Sequence, residues 1–270
     1  MEEVRNYYDK NPLIEWERLE RHRLEFDSTK KIFDNFIPKI KDSKIRIADI
    51  GGGPGRYSLY LASKGYEVTL VDLSCENICL AIQKSEELGI AFDGVFNANA
   101  LDLDILEDDS YDVCLLMGPL YHLLEENKRN QAVEETVKKL KKGGTIITSF
   151  ISRFAPLCDI LKNYPDIILK QKNQLLELIK DGRNIPSEEN PGFTHAYFST
   201  ARESVELLEK NGIETMRISS IESLASLREK ELYALSDEIY DKWVDLIYEI
   251  STEPSIIGAS EHLIHVGKKL

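Results

Sequence analysis

Four glycines fall within five residues, at Gly51, Gly52, Gly53 and Gly55, directly after the short apolar run 45–50 and directly before a stretch with helical spacing. Glycine tolerates positive φ and puts no Cβ between a ligand and the main chain, so such a turn suits the close approach of a cofactor to the backbone. Asp72 stands 21 positions beyond Gly51, at the end of the second β-rich run 66–71. At that distance along a strand-turn-helix-strand unit, a carboxylate meets the two ribose hydroxyls of a bound nucleoside. The alternative is a tight turn followed by a solvated acid.

The identity of the nucleoside turns on two residues. A dinucleotide fingerprint needs a third glycine where this chain has Arg56. Asp49, just ahead of the glycines, would repel a pyrophosphate but suits a ligand carrying an ammonium group and a sulfonium. This chemistry points to S-adenosylmethionine, with an NAD-dependent oxidoreductase as the rival reading.

These residues resemble the first motif of class I S-adenosylmethionine-dependent methyltransferases, in their small-molecule branch, over most of residues 45–150. Asp49, Gly51, Gly53 and Gly55 match the motif, and Asp72 matches the ribose-binding acid of the second strand. The resemblance implies that Gly52, Leu73, Asn99, Ala100, Leu101, Met117 and Gly118 also face the cofactor. Asn99 stands where the family often has an acid. The loop Met117-Gly118-Pro119-Leu120-Tyr121-His122 lacks the (N/D)PP(Y/F) motif of base-amine methylating relatives and the Pro-Cys nucleophile of cytosine-C5 enzymes. The reaction implied is methyl transfer to an O, N or S atom of a small molecule, leaving S-adenosyl-L-homocysteine. A non-catalytic S-adenosylmethionine sensor would show the same motifs.

Methyl transfer from a sulfonium is an in-line displacement, so the protein chiefly aligns the partners and excludes water. Where the acceptor must lose a proton, His122 is the candidate base, with Tyr121 beside it; a purely structural His122 is an equal alternative. His195 and Tyr197, alternating before a helix, are candidates to face the acceptor. In similar enzymes the N-terminal segment folds over the cofactor, which makes Tyr7 and Tyr8 candidate lid residues. Arg21, or Arg18, is a candidate partner for the methionine carboxylate, because a guanidinium matches a carboxylate bidentately.

The elements that must hold these residues alternate between strand and helix patterns, which implies a parallel sheet. Expected strands cover 45–50, 66–71, 91–97, 111–117, 145–150, 213–218 and 261–267, with a helix from about 74 to 88 for which Ser74 is a plausible N-cap, and another ending at Gly143-Gly144. The fold class expected is α/β, a Rossmann-like seven-stranded mostly parallel sheet with helical cap insertions; an antiparallel last strand follows from the resemblance. The domain reading is an N-terminal helical lid (1–44), a cofactor-binding core (45–150), an inserted cap (151–200), and a C-terminal part of the core (201–270) with a helical insertion at about 219–258.

Composition limits the partners. The 34 basic against 47 acidic side chains give a net charge of −13, which disfavours nucleic acid because such binding draws its affinity from basic groups. No segment approaches the roughly 18 apolar residues of a membrane span, and the first residues lack a secretory pattern, so a cytoplasmic protein without a membrane partner is expected. Cys75, Cys79, Cys114 and Cys158 show no zinc spacing and are expected to pack as reduced thiols; no metal is expected. The sequence leaves the oligomeric state open.

Overall fold

The computed structural model describes residues 2–41, 43–186 and 193–270. Three helices open the chain, α1 (Glu2–Lys10), α2 (Pro12–Arg21) and α3 (Arg23–Phe36). The core follows as β1 (Arg46–Ile50), α4 (Arg56–Ser63), β2 (Glu67–Asp72), α5 (Cys75–Leu88), β3 (Gly94–Asn97), β4 (Tyr111–Leu116), α6 (Glu126–Lys139) and β5 (Leu140–Ile151). Next come α7 (Ala155–Asn163), α8 (Ile168–Asp181) and a two-residue ladder of β6 (Arg183–Asn184) with β7 (Ala196–Tyr197). The chain continues through α9 (Ala201–Lys210), β8 (Ile213–Ser220), α10 (Glu229–Tyr233), α11 (Asp237–Ile250) and β9 (His262–Lys269). Part of the expected cap, 187–192, lies outside the described residues.

Seven strands form one sheet in the order β3-β2-β1-β4-β5-β9-β8. Six run in one direction, and β9 alone runs antiparallel, between β5 and β8. This is the Rossmann-like, mostly parallel seven-stranded sheet that the sequence pattern predicts. Neighbouring residues on a strand point to opposite faces, so Ile47, Val68, Val113 and Ile147 pack under α3 and α4, while Ala48, Val71, Cys114 and Ile146 pack under α6 and α9. The uninterrupted apolar strands reflect burial on both faces. The N-terminal helices belong to this core: Ile32 and Phe33 of α3 are 1% and 2% exposed. Burial of that kind contributes about 1.5–3 kcal/mol per large side chain.

Local signals place the cofactor-side elements. Ser74 caps α5 by accepting a hydrogen bond from Asn77 N, and Gly89 ends that helix in the left-handed region. Two expectations need correction. The glycines Gly143 and Gly144 do not terminate a helix; α6 ends at Lys139 and β5 begins at Leu140. Leu140 pairs with Tyr111 and Thr145 with Val113, so the intervening residues bulge out of the ladder, and Gly143 supplies the φ of +76° there. Of the cysteines, Cys114 and Cys158 are buried, but Cys75 and Cys79 are exposed on α5.

Candidate active site

The neighbouring strands β1 to β5 point their carboxyl ends toward one edge, and in open α/β sheets ligands bind in the crevice at that edge. The turn after β1 is tied to β2 there, with Gly51 N donating to Val71 O at 2.7 Å. Gly51 adopts φ +72° and packs against Pro119; a Cβ on it would fall 2.4 Å from Pro119 Cδ. A Cβ on Gly52 would meet Asp49 Oδ2 and Leu70 Cδ1, each at 2.5 Å. At Gly53 the situation reverses, because a Cβ would find nothing nearer than Asn77 Nδ2 and Glu15 Cγ at 3.8 Å. The first two glycines permit internal packing; the third bares the main chain to open space.

That space is a cleft of about 940 Å³, counting its open mouth. Its floor is the glycine turn and Asp72, one wall is the loop after β4, and the opposite wall is α1 and α2.

Asp72 is 8% exposed and ends β2. Its Oδ2 accepts from Gly53 N at 2.8 Å, and its Oδ1 accepts from Ser74 N at 2.8 Å and Asn77 Nδ2 at 3.3 Å. Burial raises its pKa and these donors oppose the rise. A carboxylate offers about four acceptor positions, so the anchored group still has capacity toward the cleft. Asp49, 2% exposed, accepts from Ser58 Oγ at 2.6 Å. Burial, opposed by that hydrogen bond and reinforced by the Asp72 charge, pushes its carboxyl up to about 6.

Tyr8, Asp49, Gly51, Gly52, Gly53, Asp72, Leu73, Ala100, Met117, Gly118, Tyr121 and His122 all line this cleft. His122 is doubly held: Nδ1 donates to His195 O at 3.2 Å, and the Tyr8 hydroxyl donates to Nε2 at 2.8 Å. A carbonyl can only accept, which fixes the tautomer. Burial depresses the imidazole to about 4. With both nitrogens engaged, His122 ties the loop after β4 to α1, as the structural alternative to a base requires.

Other expected residues lie elsewhere. Arg21 ends α2 and turns back to Ile14 O at 2.9 Å and Glu17 at 3.4 Å; Arg18 lines the cleft in its place. Tyr7 is 44% exposed and packs edge-on against Phe193 outside the cleft. Gly55, with φ +82°, begins α4 and abuts Phe92 and Ala81. Asn99 folds its side chain onto Leu101 N at 3.0 Å, so the asparagine shapes the loop while Ala98 and Ala100 face the cleft. His195 pairs with Glu3 at 3.1 Å. Tyr197 lies under the Arg129 guanidinium at 3.7 Å and donates to Glu203 at 2.9 Å, lining a separate cleft between α6 and α9.

Sequence reasoning missed Tyr57, Asn77 and Glu15 among the cleft residues. For Asn77 a signal existed, since it sits in the first turn of a helix that starts directly after Asp72.

Residues 47–144 match the family described as "Methyltransferase domain". The ubiquinone biosynthesis O-methyltransferase of Rickettsia conorii is 32% identical over 135 residues, 49% of this chain and 42% of the relative. The tRNA 5-carboxymethoxyuridine methyltransferase of Escherichia coli is 34% identical over 58 residues, 22% of each chain. The chain thus spans less than half the length of these curated relatives. Among solved structures, one from Thermotoga maritima, described as a methyltransferase and possible histamine N-methyltransferase, superposes with a TM-score of 0.60 at 19% identity, over 97% of this chain and 98% of the other.

Proposed function

We propose that this chain, whose residues 47–144 form a methyltransferase domain, uses S-adenosyl-L-methionine to methylate an O, N or S atom of a small molecule, releasing S-adenosyl-L-homocysteine. The carrying observation is the pairing of Asp72 with the open face of Gly53 at the floor of the cleft.

The cofactor would supply an electrophilic methyl group on a sulfonium. Asp72 would hold the ribose hydroxyls, Leu73, Ala98 and Ala100 would border the base, and Gly53 would let the main chain approach. Asp49, Glu15 and Arg18 set the charge at the other end of the cleft, where an ammonium and a carboxylate must both be accommodated. Tyr8, tied to His122, closes α1 over the site and limits water access.

A small acceptor is favoured over nucleic acid by the net charge of −13 and by the cover that α1 and α2 place on the cleft. No described helix is long and apolar enough to cross a membrane. Calorimetry with S-adenosylhomocysteine and with NAD tests the cofactor assignment: heat from the first and none from the second is expected, and the opposite pattern would overturn it. Retention of label on tRNA, rather than on small molecules, would overturn the acceptor class.

A further inference from the structure

The buried lysine and arginine side chains among the described residues are Lys139, Arg153 and Arg129. A buried charge is costly unless it is paired, and the first two obey that rule. Lys139 Nζ meets Asp108 Oδ1 at 2.6 Å, and Arg153 Nη2 donates to both oxygens of Glu203 at 2.7 Å. The cluster of Glu25, Glu222 and His262 is matched in the same way. Arg18 donates to Glu25 at 2.5 Å, while His262 Nδ1 donates to Glu222 at 2.6 Å and lies 3.9 Å from Glu25. Arg129 is the exception: it is 7% exposed and has no ion-pair partner among the described residues.

Arg153 and Arg129 approach the same aromatic ring, with their guanidinium carbons 5.7 Å and 3.7 Å from the centroid of Tyr197. Arg153 uses all three nitrogens. Its Nε donates to Phe198 O, its Nη1 to Ile179 O and Lys180 O, and its Nη2 to Glu203 and the Tyr197 hydroxyl. Arg129 uses one, since Nη1 donates to Leu123 O at 2.6 Å and to Leu124 O at 2.9 Å. Its Nε and Nη2 have no partner among the described residues, yet neither is sealed in the interior. Both therefore open onto accessible space, and the edge they form is the one that a planar carboxylate meets with two parallel hydrogen bonds.

That space is the cleft between α6 and α9, about 680 Å³ with its open mouth included. The other charges along it already have partners. Lys210 meets Glu126 at 3.1 Å, Glu203 holds Arg153, and Glu206 meets Arg202 at 2.6 Å. Burial lowers the Arg129 guanidinium from its ordinary value, and Tyr197, Glu126 and Glu203 do not restore it. One positive charge thus waits for one negative charge. The three glutamates along the same cleft repel a dianion such as phosphate more than a singly charged carboxylate.

We propose that the cleft between α6 and α9 is a second ligand site, in which Nε and Nη2 of Arg129 receive the carboxylate of a small organic acid or amino acid. The Tyr197 ring backs the guanidinium, and the Leu123 and Leu124 carbonyls fix its orientation before the ligand arrives. The site adjoins the cofactor cleft without opening into it. Leu123 follows His122, and His122 Nδ1 donates to His195 O, two residues before Tyr197. A bound acid therefore rests on the two segments that His122 joins.

The test is an NMR titration of the whole chain at constant ionic strength, following the arginine Nε–H resonances with acetate, with L-alanine and with inorganic phosphate. Arg129→Lys, which keeps the charge but not the planar fork, identifies the resonance; where that variant does not fold, cross-relaxation with the Tyr197 ring identifies it. A saturable shift at Arg129 with either carboxylate, while Arg153 stays still, is expected. In Arg129→Lys the same carboxylate, read from the Tyr197 ring signals, should bind roughly tenfold more weakly. Tighter binding of L-alanine than of acetate marks an amino acid as the ligand, and equal or weaker binding marks a simple acid. No saturation at Arg129 with either carboxylate, or phosphate binding as tightly as both, would overturn the assignment.

Discussion

The Tyr8 hydroxyl donates to His122 Nε2 across 2.8 Å, joining the first helix to the loop after β4 over the mouth of the cleft. Removing that hydroxyl leaves a buried ring nitrogen without its donor and frees one end of α1. Tyr8→Phe should therefore weaken S-adenosylhomocysteine binding through faster dissociation, by about 0.5–1.5 kcal/mol, the usual net worth of such a bond. Stopped-flow dissociation rates check this; an unchanged off-rate in the folded variant would show that α1 does not gate the site.

Asp72→Ala should cost about 1–3 kcal/mol of cofactor binding, through lost charge-assisted hydrogen bonds. Because Asp72 also anchors Gly53 N and Ser74 N, the variant should lose some thermal stability as well. Calorimetry alongside a melting curve separates the two effects. Undiminished affinity would refute the ribose assignment.

The glycines predict a contrast. Gly51→Ala drives a Cβ into Pro119 and should lower the melting temperature sharply, whereas Gly53→Ala meets only open cleft. The latter variant should fold, at a cost of about 1 kcal/mol for its φ of +57°, yet bind the cofactor poorly. Parallel melting and binding measurements decide it; Gly53→Ala with full affinity would mean that the ligand does not approach this backbone.

Asp49 and the buried histidines fix a pH response. Asp49 is raised to about 6 in the fold from an ordinary value of 3.8, so its stabilising share is complete at low pH and is lost as pH rises through 6. His122 and His265 are depressed to about 4 from 6.5, so their share is present above 6.5 and is lost as pH falls from there to 4. Asp49→Asn should remove the first dependence and raise the melting temperature at pH 7.5 while impairing cofactor binding. Melting scans between pH 4 and 8 test this, and a variant no more stable than the parent at pH 7.5 would contradict the burial argument.

What was legible in the sequence was local. The glycine turn, Asp72 and the Ser74 cap are set by residues within one strand-turn-helix unit, and periodicity carried the seven strands to within a few positions. Distance along the chain hid the rest. Arg18 and Arg21 occupy one short helix, and only the tertiary setting of α2 shows that Arg21, as its last residue, turns back to Ile14 O. Tyr197 read as a residue of the acceptor site because aromatic alternation cannot say which of two clefts a side chain lines. His262, Glu222 and Glu25 have no common spacing, and the register of an antiparallel strand is what unites them.

That union has a consequence for biosynthesis. Arg23 meets Asp237, Lys31 meets Asp245, Leu24 N meets the Tyr233 hydroxyl, and Glu25 meets His262. Each pair links residues made more than two hundred positions apart, so a growing chain leaves the ribosome with its early helices deprived of their counterparts. The glycine turn can form while the helices that must cover it are still waiting for the late segment, and ln k of folding should reflect that long-range closure. Nascent chains halted after β5 should thus be protease-sensitive in the first forty residues, and protected there only once β9 has emerged.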